Sequence, residues 1–423
     1  MKTDAAPPDP AAGWADPLAG RRILVGISGS IAAVKLPLVV SALAKRGAEV
    51  RCVLTPSAER LVSPVALASL SRQPCHRDAD QWSPREPRPL HIELAEWAEL
   101  VLLAPLSATS LARWVQGLGD TLLASLLLAT EAPVLAAAAM NTAMWASPGV
   151  VRNWADLQIF EQVLPLGPAE GLLACDRQGA GRMAEPELLL LALESLALWG
   201  PRRDWQGRRL LVTAGPTREW LDPARCLSNP STGRMGVLLA QAARLRGAQV
   251  DLVHGPLALP PAWLEGLRCH PIDSGAELQE RLRQLQPQAD AIAMAAAVAD
   301  HRRAAPLTDK LDKTSLAAVL QGGWQLVPDL LAELVARRPA GQRILGFAAQ
   351  SGAVLPEARA KFARKGCDLL FANPIDRPGV GFASPTNEGW LLGPGGQELR
   401  LEPASKLALA HRLLTALGAL LPG

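Results

Sequence analysis

The stretch 208–236, RRLLVTAGPTREWLDPARCLSNPSTGRMG, carries the densest chemical signal in this sequence. Its apolar run at 209–213 reads as a buried parallel strand. A loop follows that is too polar and too rich in Gly and Pro for a core. Ser228, Asn229, Ser231, Thr232 and Gly233 close the loop, and Val237, Leu238, Ala242 and Leu245 then repeat at helical spacing. Unpaired N–H groups in the first helical turn, together with the helix dipole, favour phosphate or carboxylate there. A well-capped helix after a long loop is the plainer reading, and both stand at this point. Lys310 and Lys313 share one loop (TDKLDKT), and Lys361 and Lys365 lie at i,i+4 on one helix. Singly, such lysines are solvated surface charges. Beside an anion-ready loop they could neutralise a triphosphate, and a carboxylate such as Asp300 could bind Mg2+ or a ribose hydroxyl. The pattern GxxxxGK[ST] is absent, which excludes a P-loop enzyme.

The first half carries a second constellation. GISGSIAAVK, residues 26–35, is not a GxGxxG fingerprint, yet small polar residues at a helix start can hold a phosphate through backbone N–H groups and hydroxyls. Thr55 and Ser57, at the end of the next strand, could contact the same anion. PLSATS at 105–110 follows another strand, at a carboxyl end where open α/β sheets bind ligands. His91 in PLHIELAEW admits a structural and a catalytic role. Asn141 in AAAMNTAMW reads first as a turn residue or N-cap. Cys175 in ACDRQGAGRM sits in a Gly-rich loop beside Arg177, which favours a thiolate, so a reactive and an inert thiol are both open.

These groups need a scaffold that puts strand ends and helix starts together. Strands are expected at 22–28, 50–54, 99–104 and 132–137, then at 209–213, 250–253, 290–294, 343–347 and 368–372. The pentads RGAEV at 46–50 and RGAQV at 246–250 each end a helix on glycine and open the next strand. Two β-loop-α-β openings roughly 200 residues apart imply two doubly wound, Rossmann-like α/β domains. Residues 1–19, rich in Pro, Ala and Asp, read as a disordered tail, 20–199 and 209–423 as the domains, and 200–208 as their linker. Residues 171–183 read as an aperiodic loop, and a Gly/Pro-rich loop is expected up to Asn387.

The composition excludes several classes. Hydrophobic residues make up 49% and charged residues 20%, with a net charge of +3 of interspersed sign, so nothing demands nucleic acid or an anionic membrane. The six cysteines form no CxxC pair, which argues against a zinc ribbon and a disulfide framework and for a reducing cytoplasm. No apolar stretch suits a bilayer.

Taken in order, SGSIAAVK, HIEL, AMNTAMW, ACDRQGAGRM, TAGPTREWLDPARCLSN, STGRMG, AAVADHR and GFAA resemble the bifunctional coenzyme A biosynthesis family, over about residues 20–415. That family joins a phosphopantothenoylcysteine decarboxylase to a phosphopantothenate–cysteine ligase. The resemblance implies a flavodoxin-like first domain with FMN held by Ser28, Gly29, Ser30, Thr55, Ser57, Ser107, Ala108, Thr109 and Ser110. His91 would organise oxidation of the cysteine thiol, Asn141 would clamp the cysteine carboxylate, and Cys175 would be the proton donor on a flap. In the second domain it implies CTP-dependent joining of 4'-phosphopantothenate to L-cysteine through an acyl-cytidylate handled by Asn229. Met294, Ala295, Ala296, Asp300, Lys310, Pro328, Asp329, Leu330, Leu331, Phe347, Lys361 and Lys365 would line the CTP site, with Lys310 acting in catalysis and Asp300 on Mg2+. It further implies a homo-oligomer, with trimeric decarboxylase and dimeric ligase domains. Departures from the family pattern are Ala139 in place of proline before Met140-Asn141, Val34 and His301 in place of tyrosines, and Gln350 in place of a carboxylate. An NAD-dependent oxidoreductase would want a GxGxxG spacing that neither half has. A non-catalytic flavin-domain regulator would have no use for the second half.

Overall fold

The computed structural model describes residues 16–84, 88–173, 176–305 and 307–422. The chain divides into two compact units, Ala15–Arg202 and Arg203–Gly423. Among the described residues no helix is long and apolar enough to cross a membrane.

The first unit is built on six parallel strands, β1 (Arg22–Ile27), β2 (Glu49–Leu54), β3 (Cys75–Arg77), β4 (Leu100–Leu106), β5 (Val134–Ala138) and β6 (Val163–Leu166). Their order is β3-β2-β1-β4-β5-β6. The set β2-β1-β4-β5-β6 is the flavodoxin order, with β3 added at the edge. All seven residues of β4 are buried, as a strand covered on both faces requires. The covering helices are α1 (Leu36–Lys45), α2 (Pro64–Ser71), α3 (Leu90–Trp97), α4 (Ala108–Val115), α5 (Leu122–Ala129), α6 (Thr142–Trp145), α7 (Pro148–Leu157) and α8 (Pro186–Trp199). The expected aperiodic loop at 171–183 is instead an antiparallel hairpin, β7 (Ala169–Leu172) with β8 (Gln178–Arg182). Its alternation is hidden because glycines stand where one face approaches another backbone.

The second unit carries an eight-stranded sheet of order β13-β12-β9-β14-β17-β18-β19-β20. The strands are β9 (Arg209–Ala214), β12 (Gln249–His254), β13 (Arg268–Pro271), β14 (Ala291–Met294), β17 (Arg343–Gln350), β18 (Leu369–Pro374), β19 (Thr386–Leu392) and β20 (Glu398–Ser405). The first six repeat the parallel order of the first unit, and β19 and β20 are antiparallel additions. Sequence reading missed those two, since β20 alternates weakly and ends in Pro and Ser. Two small hairpins project from loops: β10 (Arg218–Asp222) with β11 (Arg225–Ser228), and β15 (His301–Arg303) with β16 (Trp324–Leu326). The helices are α9 (Arg234–Leu245), α10 (Gly275–Leu285), α11 (Lys313–Leu320), α12 (Leu330–Ala336), α13 (Val354–Lys365) and α14 (Lys406–Gly418).

The repeated pentad has a structural counterpart. Gly47 and Gly247 take φ of +83° and +97° just past α1 and α9, a region glycine enters without a Cβ penalty. The arginine before each glycine grips a carboxylate on the chain leading into the first strand. Arg46 pairs with Asp16 at 2.6 Å and with Glu194 of α8 at 2.8 Å. Arg246, 1% exposed, holds Asp204 and donates to the His411 carbonyl of α14 at 2.9 Å. These contacts correct two boundaries. Leu18 is fully buried and Asp16 is paired, so residues 16–19 do not belong to a disordered tail; residues 1–15 lie outside the described residues. In the expected linker, Asp204 is paired and Trp205 is 1% exposed, so those residues are part of the second unit.

His411 gives that anchor a pH signature. It is 3% exposed, and burial, reinforced by Arg246, pushes its imidazole down to about 3. The unfolded chain takes up a proton near pH 6.5 that the fold refuses. Stability from this group is therefore complete above about pH 6.5 and drains away as pH falls towards 3. His411→Leu is expected to flatten the fall in unfolding temperature between pH 6.5 and 4, read by calorimetry at stepped pH; an unaltered slope would contradict it.

Candidate functional site

In the first unit the strand order reverses at β1, between β2 and β4, where open α/β sheets leave a crevice beyond the strand ends. Ser28 closes that corner. Fully buried, it donates to the Pro105 carbonyl at 2.7 Å and accepts from Ser107 N–H at 2.8 Å, so it ties the end of β1 to the end of β4. The expected ligand contact at Ser28 is thus a strand tie. Gly29, Ser30, Ser107 and Ala108 line a cleft of about 480 Å3, within the range of cofactor sites. Ser107 also caps α4 by accepting from Ser110 N–H at 3.4 Å. A Cβ at Gly29 would sit 2.5 Å from that of Ser57, which keeps the loops after β1 and β2 in contact. Thr55, Ser57, Thr109 and Ser110 surround this corner without lining the cleft.

The far wall is made by Ala139, Met140, Asn141 and Met144 and by the hairpin residues Leu172, Leu173, Gly181, Arg182 and Met183. Asn141 caps α6 through Oδ1, which accepts Ala143 N–H at 2.8 Å, so its N-cap and cleft positions are one and the same. Met140 N–H donates to the Gly181 carbonyl at 3.0 Å, and a Cβ at 181 would lie 2.3 Å from the Met140 carbonyl. The hairpin therefore lies on the chain that presents Asn141. Cys175, which falls between β7 and β8 in the sequence, lies outside the described residues.

His91 opens α3, which runs back against β4, so it stands at the same carboxyl edge of the sheet. It does not line the cleft, and its Nδ1 is buried without a hydrogen-bond partner among the described residues. Two cations of the cleft were not singled out from sequence. Lys35 pairs with Glu185 at 2.7 Å, and Arg182 approaches the same carboxylate at 3.6 Å. The signal for Lys35 was its place five residues after Ser30, one helical turn past the anion-ready start; for Arg182 there was no local signal.

The second unit repeats the reversal of strand order at β9, between β12 and β14, the place where a crevice is expected beyond the strand ends. Helix α9 starts at Gly233, whose φ is +78° and whose Cβ would lie 2.2 Å from Leu257 Cδ2. Gly236 rests on β9 so closely that a Cβ would meet both Ala214 Cβ and the Thr213 carbonyl at 2.6 Å. Ser231 Oγ accepts Gly233 N–H at 3.3 Å. The loop after β14 is stitched to the loop after β9: Thr213 Oγ1 accepts Ala296 N–H at 3.0 Å, and Ala297 N–H donates to Gly215 O at 2.9 Å. Asn229 joins them, its Nδ2 donating to the Ala297 and Val298 carbonyls at 3.3 and 3.1 Å. Met294 is 7% exposed with its sulfur accepting from Thr213, while Ala295 and Ala296 are half-buried at the crevice.

The remaining expected residues divide. Asp329 caps α12, accepting Ala332 N–H at 3.1 Å, and forms an ion pair with Lys365. Half-buried Lys361 is held below the ordinary lysine range, first by burial and then by the charges of Lys365 and Arg364, while Asp329 and Asp300 act the other way. Asp300, Asp329, Lys361 and Lys365 are thus one electrostatic cluster. Lys310 is exposed on its loop. Phe347 packs edge-on against Phe371 at 5.8 Å. Leu330 and Leu331, expected at the nucleotide site, open α12 with their side chains in the hydrophobic core at 4% and 7% exposure. Pro328, half-buried just before Asp329, is left with them at the start of that helix.

The chain matches two families end to end: Flavoprotein over residues 15–197, and the DNA/pantothenate metabolism flavoprotein C-terminal domain over residues 205–420. The Coenzyme A biosynthesis bifunctional protein CoaBC of Vibrio vulnificus (strain YJ016) is 39% identical over 398 residues, covering 94% of this chain and 97% of that protein. CoaBC of Mycobacterium tuberculosis (strain H37Rv) is 39% identical, covering 95% and 97%. CoaBC of Bacillus subtilis (strain 168) is 34% identical, covering 95% and 98%. Among solved structures, a PPC decarboxylase mutant complexed with pantothenoylaminoethenethiol is 34% identical, covers 40% of this chain and 93% of that one, and has a TM-score of 0.38. The C-terminal domain of a CoaBC protein is 28% identical, covers 51% and 97%, and has a TM-score of 0.42.

The contact of α9 with β9 makes a checkable demand. Gly236→Ala forces α9 away from β9 and is expected to cost about 1–3 kcal/mol, as overpacking does. A lower urea midpoint for the second unit would show this; an unshifted midpoint would mean that α9 has room to move.

Proposed function

The chain belongs to the family of bifunctional coenzyme A biosynthesis proteins, in which a phosphopantothenoylcysteine synthetase and an FMN-dependent decarboxylase are joined, and from that premise we propose how its own residues divide the work. The carrying observation is that both sheets reverse their strand order at the same topological place, beyond β1 and β4 and beyond β9 and β14, each beside a glycine-rich helix start, and that in the first unit this place opens into a cleft.

The second unit acts first. Its start of α9 and Lys310, Lys361 and Lys365 would receive CTP and 4'-phosphopantothenate. The carboxylate attacks the α-phosphorus, the bond to the β-phosphate breaks, and pyrophosphate leaves. Lysines stabilise the charge growing on the phosphates; one such contact is worth roughly 3–4 kcal/mol of barrier. Among the described residues no group of three or more His, Cys, Asp or Glu stands ready to hold a metal. Asp300 alone suits Mg2+ that arrives on the triphosphate, since that ion commonly takes one or two carboxylates and the substrate's oxygens. Asn229, with Nδ2 committed to two backbone carbonyls, is oriented to use Oδ1 as an acceptor for the cysteine amine that displaces CMP.

The product would then enter the cleft of the first unit. Its residues fit FMN: a helix start with glycine and hydroxyls for a phosphate, and a largely apolar wall from Val34, Met140, Met144 and Leu173 for a flat ring. Bound FMN would supply a two-electron oxidation of the substrate thiol, which creates an electron sink β to the departing carboxylate, and would return the same two electrons to the decarboxylated product. Asn141 would hold that carboxylate, and Cys175 would deliver the proton that completes the thiol product. His91 stands at the sheet edge outside its own chain's cleft, which supports a trimer whose neighbouring copy completes each site; the ligase units would pair as dimers. The five described cysteines are free thiols, in keeping with a cytoplasmic setting. Neither alternative stands, because the family match covers both halves.

The purified protein is expected to be yellow and, given 4'-phosphopantothenate, cysteine, CTP and Mg2+, to release CO2 and form 4'-phosphopantetheine; a colourless protein with full turnover would defeat the flavin part. Asn229→Asp would set a carboxylate against two carbonyls, so acyl-cytidylate should build up while pyrophosphate is still released in the first turnover. Mass spectrometry of quenched reactions reads this, and unchanged ligation kinetics would remove Asn229 from that step. Cys175→Ser should oxidise and decarboxylate substrate yet stall before the final thiol, with release of CO2 exceeding formation of 4'-phosphopantetheine.

A further inference from the structure

We propose that Asp222 is a positioning residue for the loop that carries Lys310, an inference that rests on the reading of Lys310 as a triphosphate ligand. Asp222 ends β10, and its side chain is fully enclosed. Its Oδ1 accepts Ala224 N–H at 2.8 Å within the hairpin, and its Oδ2 accepts Leu311 N–H at 3.1 Å, across 89 residues of chain. Arg225 binds both partners, with Nη1 at 3.3 Å from Asp222 Oδ2 and Nη2 donating to the Leu311 carbonyl at 3.3 Å. Leu311, the residue just after Lys310, is therefore clamped through both its N–H and its carbonyl. On the other side of the loop, Leu307 N–H donates to the Leu221 carbonyl at 3.0 Å. Thr308, Asp309 and Lys310 between these ties are exposed.

The hairpin does not need Asp222 to stay in place. Trp220 and Arg218 bind Asp273, and Ser228 Oγ donates to the Thr217 carbonyl at 2.8 Å. Outside the hairpin, what Asp222 holds is the Leu311 N–H. Burial pushes the Asp222 carboxyl up, but the Ala224 and Leu311 amides and Arg225 outweigh it and hold the group ionised, below the ordinary carboxylate range. A lysine on a loop with both ends fixed meets the phosphates with little ordering left to do. With the clamp cut, that ordering is required each time CTP binds.

The test uses the full chain. Asp222→Ala is expected to raise KM for CTP about tenfold, a 1.4 kcal/mol effect, with KM for cysteine and the decarboxylation of preformed phosphopantothenoylcysteine unchanged. Asp222→Asn, which keeps an acceptor for Leu311 N–H, should fall between it and the parent. In a Lys310→Ala background, Asp222→Ala should add nothing, because it acts through that lysine. An equal further loss in that background, or a rise in both KM values, would show a structural role and overturn the inference. If Lys310→Ala impairs ligation while Asp222→Ala does not, the inference alone fails. If Lys310→Ala is fully active, the reading of the site beneath it fails as well.

Discussion

The strand ends of both units are packed around glycines that leave no room for a Cβ. Gly29 against Ser57, Gly181 against Met140, Gly233 against Leu257 and Gly236 against β9 each fill space where one added carbon would meet a neighbour at 2.2–2.6 Å. The consequence is electrostatic as well as steric. In the first unit this packing puts Gly29, Ser30, Ser107 and Ala108 on the wall of the cleft, and N–H groups at a helix start favour an anion. The same close packing recurs at the corresponding strand ends of the second unit, whose first six strands repeat the order of the first.

Around these crevices, charge is deployed in two ways. Arg46 and Arg246 are locked to carboxylates and carbonyls and hold each unit's lead-in chain against its last helix. Lys365 is already paired with Asp329, and Lys35 with Glu185, so an incoming phosphate would have to share or exchange those partners. Lys310 forms no ion pair among the described residues and stands in solvent on a tethered loop. A cation kept unpaired would contribute to binding without first breaking an ion pair, and this distinguishes it from Lys365 on α13.

Much of the scaffold could be read directly. The strands at both switch points, the glycine that ends α1 and α9, and the hydroxyl-rich start of α9 are where hydrophobic period and turn chemistry put them. What escaped was non-local. The β7–β8 hairpin hides its period because its glycines answer to Met140 and Thr142, not to sequence neighbours. Strands β19 and β20 pair with β18 and with each other, and isolated sequence gives no reason to join them to a parallel sheet. Leu330 and Leu331 look like any residues beside a binding loop until the core claims their side chains.

The sequence by itself determined the succession of strand, polar turn and helix, the two-domain layout and the identity of the residues suited to bind phosphate. Those features are set by neighbours a few positions apart, where backbone sterics and hydrogen bonding act directly. Only the tertiary structure decided which charges are spent and which are kept. Asp329 meets Lys365 across 36 residues and Asp222 meets Leu311 across 89, and burial lets such contacts form at separations that no local pattern encodes.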